Sequence, residues 1–131
     1  AEFLKALRER FQVIILSDTF EQFASPLMAK LSRPTLFCNT LVVTDDRIRG
    51  YELRLQDAKK KSVEAFGSIG YRVCAIGDSY NDLGMIDVAD LGVLFNAPEK
   101  IVAERSDLRS VTTYDECTRA ITAWAERKDD R

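Results

Sequence analysis

Twice in this chain of 131 residues a short apolar run breaks into a polar turn and then into a segment of helical spacing. Val13-Ile14-Ile15-Leu16 gives way to Ser17-Asp18-Thr19, after which Phe20, Phe23, Ala24, Leu27, Met28 and Leu31 recur on one helical face. Tyr71 to Ile76 gives way to Gly77 to Asp82 and a short helix through Ala89. A strand that is apolar on consecutive residues offers no face to water, which suits the doubly covered strands of parallel sheets. The intervening helices supply the crossovers that parallel pairing needs. The pattern predicts an α/β fold, an open parallel sheet with helices on both faces. In such a sheet ligands bind beyond the carboxyl ends of the strands, where both polar turns fall.

The remaining segments fill in this frame. Ala1 to Arg10 reads as a helix with Phe3, Leu4 and Leu7 on one face, and no Ser, Thr, Asp or Asn caps it. Domains seldom begin inside an uncapped amphipathic helix, so the chain is expected to be the later part of a longer one. Thr19 and Gln22 make a capping-box pattern for the helix after the first turn. Pro34 ends a linker before a second short strand at Thr35 to Cys38. Leu41 to Leu53 reads as a hairpin around Asp45-Asp46. A helix from about Ala58 to Ser68 would turn Val63, Phe66 and Ile69 inward. Leu91 to Phe95 is another apolar strand, and Pro98 suits the first turn of a helix. Thr113 and Glu116 form a second capping box, for a last helix with Tyr114, Cys117, Ile121 and Trp124 on its inner face. The charged tail, 127–131, is expected to fray. The whole of 1–131 suits one domain, with the hairpin at 41–53 as an appendage.

Composition narrows the function classes. Hydrophobic residues at 46% and charged residues at 31% fit a globular chain with a core. A net charge of -2, with no basic run longer than Lys59-Lys60-Lys61, argues against nucleic acid. No apolar run approaches the roughly 20 residues that span a bilayer. The absence of histidine removes histidine catalysis and His-metal sites. Cys38, Cys74 and Cys117 have no C-x-x-C spacing, which argues against zinc and a disulfide framework. They read as small buried residues in a reducing compartment, and with no signal-peptide pattern at the start the expected location is the cytoplasm.

Three places could carry chemistry. Gly77-Asp78-Ser79-Tyr80-Asn81-Asp82 puts two carboxylates and an amide on one tight turn after a buried strand. Their repulsion calls for a cation, and oxygen ligands suit Mg²⁺; a plain turn rich in Asp and Asn is the competing explanation. Ser17-Asp18-Thr19 offers a hydroxyl and free backbone N–H groups that could hold a phosphate, or merely cap a helix. Lys59 stands near the start of a helix, where it could neutralise a phosphoryl group or simply face solvent.

The order of these signals is a hydroxyl turn after a strand, a lysine at a helix start, then Gly-Asp-x-x-x-Asp after a strand. It resembles the second, third and fourth motifs of the haloacid dehalogenase superfamily. Gly77 to Met85 is similar to the phosphoserine phosphatase branch. Ile15 to Phe20 and Asp57 to Val63 resemble the bacterial bifunctional phosphoserine phosphatase/homoserine phosphotransferases. The likeness runs from Ala1 to about Ala123 and implies a Rossmann-like core. It implies Mg²⁺-dependent hydrolysis of a small phosphomonoester such as L-phosphoserine through a phosphoaspartate, and leaves open homoserine as an acceptor. Ser17 would bond the phosphoryl group, with Asp18 beside it at the substrate. Lys59 would balance charge. Asp78 would bind Mg²⁺, Asp82 would support the metal shell or hold Lys59, and Asn81 would sit at the substrate or metal edge.

The chain departs from this family in one respect. The family's nucleophile follows a strand as Asp-x-Asp or Asp-x-Glu, and no such motif is present; Asp18 belongs to the second motif and Asp45-Asp46 to a hairpin tip. The nucleophile strand, central in the family's sheet between 13–16 and 73–76, and the helical cap are expected to lie in a missing segment before Ala1. That segment, a second copy of the chain, or direct pairing of the two flanking strands could complete the sheet. The chain alone is expected to be inactive. The alternatives are a non-catalytic remnant that serves as a structural or partner-binding module, and a receiver-like signalling domain. In the latter the lysine would follow a late strand, whereas Lys59 precedes the Gly77-Asp78 strand.

Overall fold

The β4 strand, Cys74–Gly77, pairs in parallel with β5, Leu91–Phe95, in a register that runs from Cys74↔Leu91 to Gly77↔Leu94. The computed structural model describes residues 2–44, 47–52 and 57–127. It divides them into two compact units, Ala1–Ala58 and Lys59–Arg131, each with a three-stranded sheet.

In the first unit α1 (Glu2–Arg10) precedes β1 (Ile14–Phe20), α2 (Glu21–Lys30), β2 (Thr35–Thr44) and β3 (Arg47–Glu52). β1 runs parallel to β2 from Ile14↔Thr35 to Leu16↔Phe37, then resumes at Phe20↔Asn39. Ser17, Asp18 and Thr19 thus stand opposite Cys38 alone, as a bulge. The polar turn read in the sequence is real, but it lies inside the strand. Its cause is local: the Thr19 N–H donates to Ser17 Oγ at 3.1 Å, closing a small side-chain turn. Helix α2 therefore starts at Glu21, later than the Thr19/Gln22 pattern places it.

Two strands expected at 35–38 and 41–44 are one continuous β2, whose second half pairs antiparallel with β3 from Thr40↔Glu52 to Thr44↔Arg47. The hairpin tip at Asp45-Asp46 and residues 53–56 lie outside the described residues. On α2 the apolar stripe divides. Ala24 and Met28 are buried, whereas Phe23 and Leu27 are exposed. Left-handed Ser32 and Arg33 end that helix, with φ of 62° and 48°. The Arg8 guanidinium donates to the carbonyls of Leu31 and Ser32 at 3.3 and 3.1 Å.

In the second unit α3 (Ala58–Ser68) occupies the span read in the sequence. Val63 is buried, but Ile69 is exposed, because it falls beyond the last helical turn and just before Gly70, whose φ of 97° turns the chain away. The Tyr71 N–H closes the end of α3 on the Phe66 carbonyl at 3.0 Å, so β4 begins only at Cys74 rather than at Tyr71. α4 (Leu83–Val88) crosses so close to β5 that a Cβ on Gly92 would stand 2.7 Å from the Ile86 carbonyl oxygen. β5 also pairs in parallel with β6 (Arg109–Val111), a strand too short to have stood out in the sequence. α5 (Glu99–Glu104) and α6 (Tyr114–Glu126) complete the unit.

Val93, Leu94, Ile86, Ile101, Val111, Cys117 and Ile121 form its core. Tyr114 lies on the rim instead, stacked on Phe95 with ring centroids 5.1 Å apart. α6 is capped at both ends. Thr113 Oγ1 accepts from the Glu116 N–H at 3.1 Å, as the sequence suggested. The Arg72 guanidinium donates to the carbonyls of Trp124 and Arg127 at 2.9 and 3.3 Å and lies 4.5 Å over the Trp124 ring. Among the described residues no helix is long and apolar enough to cross a membrane.

Candidate active site

The loop that leaves the carboxyl end of β4 is organised around one buried side chain. Gly77 ends the strand, Tyr80–Asp82 form a single 3₁₀ turn, and Asp82 folds back beneath it. Asp82 Oδ2 accepts from the backbone N–H groups of Asp78 at 2.9 Å and Ser79 at 3.3 Å, and from Ser79 Oγ at 3.3 Å. Space for this exists only because residue 77 lacks a side chain: a Cβ there would lie 2.5 Å from Asp82 Cγ and Oδ2. Strand, glycine and aspartate are thus one structural device.

The other oxygen of the same carboxylate meets Lys59. Nζ lies 2.8 Å from Oδ1, and both side chains are largely withdrawn from solvent, at 16% and 9% exposure. The start of α3 delivers this lysine, directly after Asp57, whose left-handed φ of 50° turns the chain into the helix. Burial alone pushes the Asp82 carboxyl up, but the Lys59 ammonium and the Asp78 and Ser79 N–H groups outweigh it and hold the carboxyl below its ordinary range. The sequence left two roles open for Asp82. Both of its oxygens accept from donors, Lys59 on one side and the loop on the other.

Asp78 differs. It is exposed at the end of β4, and among the described residues its carboxylate takes no hydrogen bond. Asn81 is exposed on the 3₁₀ turn. No group of three or more carboxylates and thiols that could hold a metal ion is found among the described residues. One carboxylate without a hydrogen-bond partner among the described residues could give a cation such as Mg²⁺ a single protein ligand, a number that Mg²⁺ tolerates. It does not amount to a closed cage.

Ser17 lies in the β1 bulge of the first unit, half-buried, its oxygen accepting from Thr19 N–H and, among the described residues, no acceptor taking its proton. Asp18 is in the same bulge, and its side chain lies outside the described residues. Lys59, Asn81, Asp78 and Asp82 are together in the second unit. Two participants escaped the sequence reading. Ser79 stands three residues before Asp82, a capping-box spacing that could have exposed its part. Tyr80, whose hydroxyl donates to Glu104 at 2.8 Å, carries no local signal, since its partner is 24 residues away.

Comparison with known proteins identifies the family. Residues 1–90 match the family model for haloacid dehalogenase-like hydrolases. The chain is 52% identical over 119 residues to phosphoserine phosphatase ThrH of Pseudomonas aeruginosa, covering 90% of this chain and 58% of that one. It is 51% identical over 116 residues to a phosphoserine phosphatase of Pseudomonas syringae pv. tomato, covering 88% of this chain and 49% of that one. The chain thus spans about half the length of these curated relatives. A solved structure described as a phospho-aspartyl intermediate analogue of phosphoserine phosphatase superimposes with a TM-score of 0.69 at 28% identity, over 86% of this chain and 56% of that one.

Proposed function

Because the chain belongs to the haloacid dehalogenase-like hydrolases, we propose that it forms the lysine and metal-binding part of a phosphoserine phosphatase. The observation that carries this reading is the part-buried Lys59–Asp82 pair, 2.8 Å apart, which ties α3 to the loop that presents the Asp78 carboxylate. An anchored ammonium beside an available carboxylate is what a site needs to hold a dianionic phosphoryl group next to a cation.

The substrate class is a small phosphomonoester, with L-phosphoserine first, as the names of the relatives suggest. Lys59, fixed by Asp82, offsets charge on the phosphoryl group without having to be reorganised during the reaction. Asp78 would hold magnesium, which would supply charge neutralisation for the phosphoryl oxygens. Ser17 donates its hydroxyl proton to a phosphoryl oxygen, Asp18 contacts the substrate, and Asn81 offers its amide at the lip. The phosphoryl acceptor is an aspartate outside these residues: Asp82 is fully engaged as an anchor, and Asp78 is assigned to the metal. From that phosphoaspartate the group passes to water, or to homoserine as a second acceptor.

The test is to join the chain to the N-terminal segment of the Pseudomonas aeruginosa relative and follow phosphate release from L-phosphoserine with and without MgCl₂. The joined protein is expected to turn over with Mg²⁺, to lose this with Asp78→Ala, and to lose on the order of 2–4 kcal/mol of transition-state stabilisation with Lys59→Ala. The 131-residue chain alone is expected to release none. Mg²⁺-dependent release by that chain, abolished by Asp78→Ala, would place the nucleophile among its own residues. A folded joined protein without activity would favour a structural or partner-binding module. Mass spectrometry for phosphohomoserine decides the second acceptor.

A further inference from the structure

Two consecutive residues at the carboxyl end of α5 fasten both ends of the segment that follows Asp78. Glu104 accepts from the Tyr80 hydroxyl at 2.8 Å, at the start of the 3₁₀ turn. Arg105, the next residue, forks onto Asp87 near the end of α4 at 2.6 and 3.1 Å, and onto Asp107 at 3.0 Å. The fork is two-pronged and charge-assisted, so it fixes orientation as well as distance. It holds the end of α5 steady, and Glu104 with it.

From the inner side the Asp82 carboxylate holds the Asp78–Asp82 loop through the two N–H bonds and the Ser79 hydroxyl, beside the turn's own bond from Asp82 N–H to the Ser79 carbonyl at 3.0 Å. The outer side of the turn faces water, and Tyr80 is 51% exposed. A single 3₁₀ turn has few bonds of its own and poor geometry in those it has. The phenol–carboxylate bond is the outer tie that the turn otherwise lacks among the described residues. We propose that Tyr80 and Glu104 are positioning residues: α5 clamps the 3₁₀ turn from outside, and so fixes the direction in which the Asp78 carboxylate is presented. The inference rests on the metal role proposed for Asp78, and it adds two residues that touch neither substrate nor metal.

Its test uses hydrogen exchange at the Asp78 and Ser79 amides of the 131-residue chain, with MgCl₂ titrations followed at the Asp78 amide. Tyr80→Phe and Glu104→Ala are each expected to speed exchange at these two amides by about three- to tenfold, the range of one exposed hydrogen bond. Exchange at Val93 and Leu94 should not change. Glu104→Gln keeps an acceptor and should restore most of the protection. The double variant Tyr80→Phe/Glu104→Ala should be no worse than either single one, since both remove the same bond. Unchanged exchange in the single variants, additive effects in the double, or faster exchange throughout β5 would each overturn the clamp. In the titration the same variants should weaken the apparent Mg²⁺ affinity about two- to fivefold. An affinity that stays constant while exchange rises overturns the positioning role. If the unaltered chain shows no Mg²⁺ response at Asp78, the metal role falls, and the exchange comparison still decides the clamp.

Discussion

The Asp82 carboxylate accepts from four donors: Lys59 Nζ on one oxygen, and the Asp78 N–H, Ser79 N–H and Ser79 hydroxyl on the other. Asp82→Ala removes this acceptor from each of them and takes the carboxylate from beside a partly buried ammonium. Urea unfolding should show a loss of about 2–4 kcal/mol. Gly77→Ala places a methyl group where Asp82 now packs, so the turn must move; a loss of about 1–3 kcal/mol is expected in the same measurement. Most of these residues were legible in the sequence. Gly77, Asp78 and Asp82 are neighbours on one turn, and a glycine followed by closely spaced carboxylates announces a constrained loop. Lys59 became credible only from its order among the other motifs, because nothing local separates an anchored lysine from the solvent-facing Lys60 beside it. Tyr80 and Glu104 were illegible, since their bond depends on how α5 returns past the turn.

At the scale of elements, α6 shows both what pattern reading captures and what it misses. The Thr113/Glu116 box was written in four consecutive residues, and it formed. Its partner at the other end, Arg72, lies 52 residues before Trp124 and could not be found by spacing. Thr113→Ala should lower the unfolding free energy by about 1 kcal/mol. Arg72→Ala should lower it by about 1–2 kcal/mol, through lost carbonyl capping and the lost stack on Trp124. The box also predicts a pH dependence. Hydrogen bonds from the Thr112 and Thr113 hydroxyls hold the Glu116 carboxyl below its ordinary value. A depressed carboxyl stabilises the fold above its unfolded value of about 4.3, and that contribution disappears as pH falls through the lower folded value. Carbon-detected titration of Glu116 should place its midpoint below the ordinary value, and Thr112→Val should move it back up. Strand lengths were read less well than caps. β2 continues through 39–40 because a change of partner, from parallel β1 to antiparallel β3, leaves no trace in hydrophobic pattern.

Among the described side chains, the two units bury different amounts of apolar surface, and this sets an expected order of local stability. In Lys59–Arg131 the strands β4 and β5 sit among side chains that are fully enclosed: Val93 and Leu94 at 0% exposure, with Ile86, Ile101 and Val111 at 2% around them. In Ala1–Ala58, Ala24, Met28 and Pro34 are the buried apolar residues among the described side chains, and α1 buries none of its residues. Each fully buried aliphatic side chain contributes about 1.5–3 kcal/mol, so the second unit should open only with large disruption of its core. Native-state hydrogen exchange is then expected to rank the amides of Val93 and Leu94 slowest, and those of Ile14 to Leu16 several-fold faster, as local opening costs less where fewer apolar contacts break. Leu94→Ala provides the control. It removes a large side chain from the centre of the second core, should lower the unfolding free energy by about 2–5 kcal/mol, and should bring the exchange of β4 and β5 toward that of β1. Equal protection of β1 and β5 in the unaltered chain would mean that both units open as one, and that burial within each does not set the order.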